Sequence, residues 1–163
     1  MKIVATTLTG NSESIIRDAI ASVVDWVDLC LVIDTGVTDN TLRIARQVAG
    51  SKYVERRFKW VQDFAAARNF ALEAATELGA QWAITLDTDE RILLNGENLR
   101  AVMAECSEGA LMMPDEGRTY AKERCFRLPT SERFEGPTHE TFPAYKVGSR
   151  TTAKATFREL PKS

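Results

Sequence analysis

The stretch Trp82-Ala83-Ile84-Thr85-Leu86-Asp87-Thr88-Asp89-Glu90 decides how this chain is read. It opens as a buried strand and runs directly into carboxylates. In an extended chain, side chains two residues apart share a face, so Asp87 and Asp89 project together at the strand's end. Two hard oxygen ligands at that spacing suit one divalent cation, and such a cation commonly accompanies a phosphate. A solvated acidic turn is the alternative, because the D-x-D pattern is short enough to arise by chance. The rest of the chain has to arbitrate.

Outward from that stretch, strand-like and helix-like segments alternate. Lys2 to Leu8 reads as a strand. Ile15, Ile16, Ala19, Ile20 and Val23 then recur at helical spacing behind Asn11 or Ser12 as N-cap. Val27 to Ile33 is nearly continuously apolar, as expected of a strand covered on both faces. It ends in Asp34-Thr35-Gly36, and a second helix begins near Thr38 or Asp39, burying Leu42, Ala45 and Val48. Lys52 to Arg57 fits a third strand. Asp63 caps a longer helix with the stripe Phe64, Ala67, Ala71, Ala74 and Leu78, which Gly79 terminates. Past the acidic stretch, Asn95 to Cys106 reads as a helix, Gly109 to Met113 and Cys125 to Leu128 as strands, and the tail from Pro129 as irregular. The order implies an α/β fold with a mostly parallel sheet and helices on both faces. Such sheets bind ligands beyond the carboxyl ends of their strands, which is where Asp34, Asp87 and Asp89 fall.

Composition narrows the function classes. A length of 163 residues suits a single domain spanning 1–163, and 44% hydrophobic with 27% charged residues is the make-up of a globular protein. A net charge of -2 offers nucleic acid no general attraction, so no nucleic-acid partner is expected. The opening Met1 to Thr7 is too short and too soon polar to read as a signal peptide, no apolar run approaches membrane-spanning length, and Cys30, Cys106 and Cys125 show no paired spacing. Reduced, buried thiols and a cytoplasmic location are the corresponding expectations.

Three further groups are candidates for chemistry. Asp34 either forms its own turn or holds the base or ribose of a nucleotide. Arg68 lies beside the apolar stripe of its helix and needs an anionic partner, either a structural carboxylate or a diphosphate or nucleobase. His139, the single histidine, sits in Phe134-Glu135-Gly136-Pro137-Thr138-His139-Glu140. It is either a packed residue or the imidazole of a carboxylate-rich site, a set that suits manganese better than calcium. Trp60 is a candidate sugar-stacking aromatic, whereas Trp82 fits the core better.

Together these pieces resemble family 2 glycosyltransferases of the GT-A fold, in particular the branch of lipopolysaccharide-core and peptide glucosyltransferases. The resemblance is carried by Asp34-Thr35-Gly36-Val37-Thr38-Asp39-Asn40-Thr41, Asp63-Phe64-Ala65-Ala66-Ala67-Arg68-Asn69, Leu86-Asp87-Thr88-Asp89-Glu90 and Gly136-Pro137-Thr138-His139-Glu140, in that order, over about positions 3 to 140. It implies a nucleoside diphosphate sugar donor, with a UDP-sugar the expected one, held by Asp34, Arg68, Asp87 and Thr7. It further implies a Mn²⁺ or Mg²⁺ ion on Asp89, His139 and Asp87. Sugar transfer would then invert the anomeric centre, with Glu140 as the general base and Glu90 in reserve. The acceptor, whether saccharide, lipid-linked sugar or peptide, is not specified.

The sequence departs from the family pattern in places. Val37 stands where serine is common, the loop Leu8 to Glu13 lacks an adjacent Asn-Glu pair, and the chain stops soon after the His-Glu motif. This last departure supports a second reading, a nucleotide-sugar-binding module without transfer. It also raises the prospect of a homo-oligomer covering an exposed sheet edge. A phosphatase-type use of Asp87 and Asp89 fits poorly, since that motif belongs after a first strand.

Overall fold

The computed structural model describes residues 1–117 and 120–161; Arg118, Thr119, Lys162 and Ser163, within the expected domain bounds, lie outside the described residues. Strands β1 (Ile3–Thr9), β2 (Leu29–Asp34), β3 (Tyr53–Arg57) and β4 (Trp82–Thr85) form parallel pairs in the order β3-β2-β1-β4. The sequence pattern explains why β1, β2 and β4 are sandwiched. Ile3, Ala5, Cys30, Val32, Trp82 and Ile84 pack into one core. Their alternate neighbours Val4, Leu31, Ile33 and Ala83 pack into the other. A period of two with apolar residues at every position demands cover on both faces.

Helices supply that cover. On the first face lie α1 (Ile16–Ala21), α2 (Thr41–Ala49) and α4 (Leu99–Glu105), burying Ile16, Ile20, Ala45, Leu99 and Met103. On the second lies α3 (Phe64–Glu77), whose Ala71, Ala74 and Ala75 leave room for close contact with the sheet. Asp63 caps α3 as expected, its Oδ1 accepting the Ala66 N–H at 3.0 Å, and Gly79 leaves the helix at φ 86°. Phe64 is the exception in the expected stripe. It is exposed and meets Trp60 edge-on at 4.8 Å.

Some boundaries differ from the sequence reading. Helix α1 starts at Ile16, and the Ser12 carbonyl accepts the first N–H groups, while the Asn11 side chain instead accepts from Thr38 and Asp39. The expected helix from Asn95 begins only at Leu99, because Asn95 and Gly96 take positive φ and Asn98 caps Ala101 at 3.1 Å. Beyond the turn at Asp87, the chain continues into β5 (Glu90–Leu93), which was not anticipated.

The sheet continues through β7 (Ala121–Arg127), its antiparallel member, to β6 (Ala110–Pro114) and β8 (Ser149–Thr151). The tail is therefore irregular only as far as Pro143. It contributes α5 (Ala144–Val147), β8 and β9 (Thr156–Glu159). Strand β9 pairs with β5 in a separate two-stranded sheet, with Glu90 opposite Glu159 and the fully buried Phe157 opposite Ile92. The cysteines are free and buried, and burial raises the thiol pKa of Cys30 to about 11 and of Cys125 to about 12. Among the described residues, no helix is long and apolar enough to cross a membrane.

Candidate active site

The strand order reverses at β1, whose neighbours are β2 on one side and β4 on the other, creating a crevice at their carboxyl ends. At the end of β2, Asp34 Oδ1 accepts the N–H groups of Gly36 (2.9 Å) and Val37 (2.7 Å), so this carboxylate shapes its own loop. The following residue, Thr35, lines two adjoining cavities. One, of about 260 Å³, is bounded by Leu8, Thr9, Gly10, Trp60 and Phe64. The other, of about 420 Å³, runs along Arg57 to Trp60. Thr7 is buried within β1 opposite Val32 and lines neither.

Four residues further along α3 than Phe64, on the same helix face, Arg68 enters a second cleft of about 350 Å³ together with Asp87, His139 and Glu140. The separate motifs meet there. The Arg68 guanidinium donates from Nε to Glu140 Oε1 at 2.6 Å and from an Nη to Asp87 Oδ1 at 2.9 Å. Burial alone would weaken its hold on the proton. The charge of Asp87 and the bond and charge of Glu140 more than offset this and raise its pKa. Burial likewise works against the Asp87 carboxylate, yet Arg68 and then Arg124 hold its pKa below the ordinary value.

The His-Glu loop is held by α3 and by aromatic packing. Asn69, for which the sequence suggested no role, donates to the Phe134 carbonyl at 3.1 Å and accepts the Phe134 N–H at 2.8 Å. The Phe64 N–H donates to the Pro137 carbonyl at 3.0 Å. Phe134 and Phe142 pack on Phe126 at 5.4 and 4.7 Å, and Glu135 bridges Thr141 across the loop. His139 itself sits at φ 51°, a conformation that a non-glycine residue keeps only when its surroundings impose it.

The two remaining site candidates lie apart from this lining. Glu90 is fully buried, and its Oε1 accepts both the Asp87 N–H and an Arg124 Nη–H at 2.9 Å. Burial pushes its pKa up to about 7, against the pull of Arg124. The Asp89 carbonyl accepts the Leu160 N–H at 2.8 Å, tying the turn to the end of β9. Lys122 and Arg124, alternate residues of β7, line the cleft and were missed in the sequence. Their signal was a pair of cations two apart at the start of a buried strand.

Among the described residues, no three His, Cys, Asp or Glu side chains gather into a ready-made metal centre. Asp87 and His139 nevertheless share the cleft, and a nucleotide-bound cation needs few protein ligands because phosphate oxygens supply others.

Residues 6–105 match the family described as glycosyl transferase family 2, which is more than half of the chain. The chain belongs to glycosyl transferase family 2. A TPR repeat-containing protein of Synechococcus elongatus is 37% identical over 129 residues, covering 74% of this chain and 30% of the relative. The chain thus spans about a third of the length of that curated relative. Among solved structures, TarS of S. aureus (residues 1–349) superposes with a TM-score of 0.60 at 21% identity, over 80% of this chain and 39% of its own. The glucosyl-3-phosphoglycerate synthase of M. tuberculosis, solved with Mn²⁺, UDP-glucose and phosphoglyceric acid, gives 0.50 at 19% identity, over 72% and 45%. At these identities the solved structures show that the fold is shared: an α/β GT-A-like sheet, as the sequence led us to expect.

Proposed function

We propose that this family 2 domain binds a nucleoside diphosphate sugar, a UDP-sugar in the first instance, and transfers the sugar with inversion to an acceptor hydroxyl. The observation that carries this reading is Arg68 joining Asp87, from the β4 turn, to Glu140, from the His-Glu loop, beside the crevice at the strand ends. The cavity at Thr35, Trp60 and Phe64 adjoins along α3 and suits the nucleoside, placing its diphosphate toward Arg68. Glu140 is the proposed general base, with Arg68 fixing its orientation. The branch of lipopolysaccharide-core and peptide glucosyltransferases, and a single domain over 1–163, are parts of the same proposal.

Charge supports a divalent cation. Among the described residues, each cation lining the cleft already faces a carboxylate: Arg68 faces Asp87 and Glu140, Arg124 faces Glu90, and Lys122 faces Glu159. An incoming diphosphate would therefore add uncompensated negative charge. Asp87 and His139, with Asp89 on the same turn, would hold Mn²⁺ or Mg²⁺. The ion would supply Lewis-acid neutralisation of the departing diphosphate. In the resident chemistry, Asp87 orients the Arg68 guanidinium, and the Phe134 ring 5.9 Å from Arg68 keeps one side of it dry.

The test is calorimetry of UDP-sugars with and without Mn²⁺, followed by donor hydrolysis and transfer across saccharide, lipid-linked and peptide acceptors. Asp89→Ala should abolish the metal-dependent part of donor binding while leaving the melting point in place. Equal affinity in the variant and the parent would overturn the metal assignment. Binding without hydrolysis or transfer would favour a nucleotide-sugar-binding module.

A further inference from the structure

Glu90 and Arg124 are both nine-tenths or more buried and face each other at 2.9 Å. Each keeps one polar atom with no hydrogen-bond partner among the described residues, Glu90 Oε2 and Arg124 Nε. A buried ion pair of this kind adds little stability, because desolvation consumes most of the attraction, and apolar residues of similar volume often serve as well or better. Unsatisfied buried polar atoms add a further cost. The pair is therefore an expensive element for a core, and its surroundings point to a different role.

Two contacts place it. Glu90 Oε1 accepts the Asp87 N–H at 2.9 Å, so the same oxygen that faces Arg124 also fixes the backbone of the turn presenting Asp87 to Arg68. Arg124 lines the cleft beside Asp87 and rests 5.6 Å above the Phe157 ring, which limits its movement.

We propose that Glu90 and Arg124 are positioning residues of the donor site: Glu90 anchors the Asp87 turn and fixes the Arg124 guanidinium, whose Nε–H has no partner among the described residues, as a hydrogen-bond donor in the wall that receives the diphosphate. This rests on the donor reading above. It makes Glu90 a positioning residue instead of the reserve base.

The experiment measures UDP and UDP-glucose affinity with Mn²⁺, alongside melting point, in Glu90→Gln, Arg124→Met, Arg124→Lys and the double variant Glu90→Gln/Arg124→Met. Glu90→Gln retains an oxygen for the Asp87 amide and is the gentlest of the set. Glu90→Gln and Arg124→Met should each lose on the order of ten- to a hundred-fold in affinity, the range usual for residues that orient a site's ligands. The double variant leaves no unpaired buried charge, so its melting point should recover while its affinity stays low, and Arg124→Lys should restore part of the binding. Affinity recovering together with the melting point in the double variant would mean that the pair is structural only, and so would unchanged affinity in the single variants. Failure of the parent protein to bind either nucleotide would remove the donor reading itself, and this proposal with it.

Discussion

The parallel half of the sheet, β1 to β4, and the later half, β5 to β9, are built on opposite principles. In the first, the central strands β1, β2 and β4 are buried on both faces by helices close in sequence, and only the edge strand β3 turns charged residues to solvent. In the second, strands carry charges that are neutralised only by distant segments: Glu90 by Arg124, and Lys122 by Glu159. Both halves bury apolar side chains, Leu111, Met113, Phe126 and Phe157 among them in the second, but the second must also accommodate the buried ion pair of Glu90 and Arg124. The cleft lies where the two meet, and its parts come from both: Arg68 and Asp87 from the parallel half, Glu140 and Arg124 from the later one.

The contrast can be broken most sharply at Phe157. Truncation to alanine should cost about 4 kcal/mol, as for other buried aromatics. Hydrogen exchange should then show lost protection in β5, β9 and the Asp87 turn while β1, β2 and β4 keep theirs. Uniform loss across both halves would show that they are one unit. Next in size is Arg68→Ala, which leaves two carboxylates facing each other. We expect roughly 3 kcal/mol of destabilisation by chemical denaturation and loss of nucleotide-sugar binding by calorimetry.

Asn69→Ala should be milder, about 1–2 kcal/mol, because it removes two bonds to the Phe134 backbone. Its mark would be a loosened His-Glu loop, visible as a reduced kcat for transfer with donor affinity preserved. The smallest effect belongs to Glu97, whose carboxylate accepts the N–H groups of Ala153, Lys154 and Ala155 at 3.2, 3.0 and 2.8 Å. Burial raises its pKa, but these bonds outweigh that and lower it. Its contribution is therefore present above the ordinary glutamate pKa and fades as pH falls through the lowered one. The melting-point gap between the parent and Glu97→Gln should be about 1 kcal/mol in equivalent stability near neutrality and should close in acid.

The same contrast explains what the sequence revealed. Ile3 to Thr9, Leu29 to Asp34 and Trp82 to Thr85 announce themselves because burial on two faces leaves runs of apolar residues and threonine with almost no charge. Strand β5 begins Glu90-Arg91, which reads as a turn until its partner β9, more than sixty residues away, is known. Strand β7 was read as starting at Cys125, because Lys122, Glu123 and Arg124 look like a solvated run. Arg68, Asp87, His139 and Glu140 were each visible as motif residues. That one guanidinium would join two of the motifs depends on how the loop at Phe134 folds back onto α3, which spacing alone does not encode. Phe64 fitted the helical stripe but is exposed, meeting Trp60 at the rim of a cavity instead of joining the core.

The register of β5 against β9 carries one more consequence. Glu90 stands directly opposite Glu159, and like charges across a ladder repel. Lys122 and Arg124 from β7 offset that repulsion by pairing with Glu159 and Glu90. The small sheet is thus a dependent structure, with no autonomous stability to lend. Its cohesion is conditional on the large sheet already being assembled, which makes melting of the cleft wall and loosening of β7 a single cooperative event.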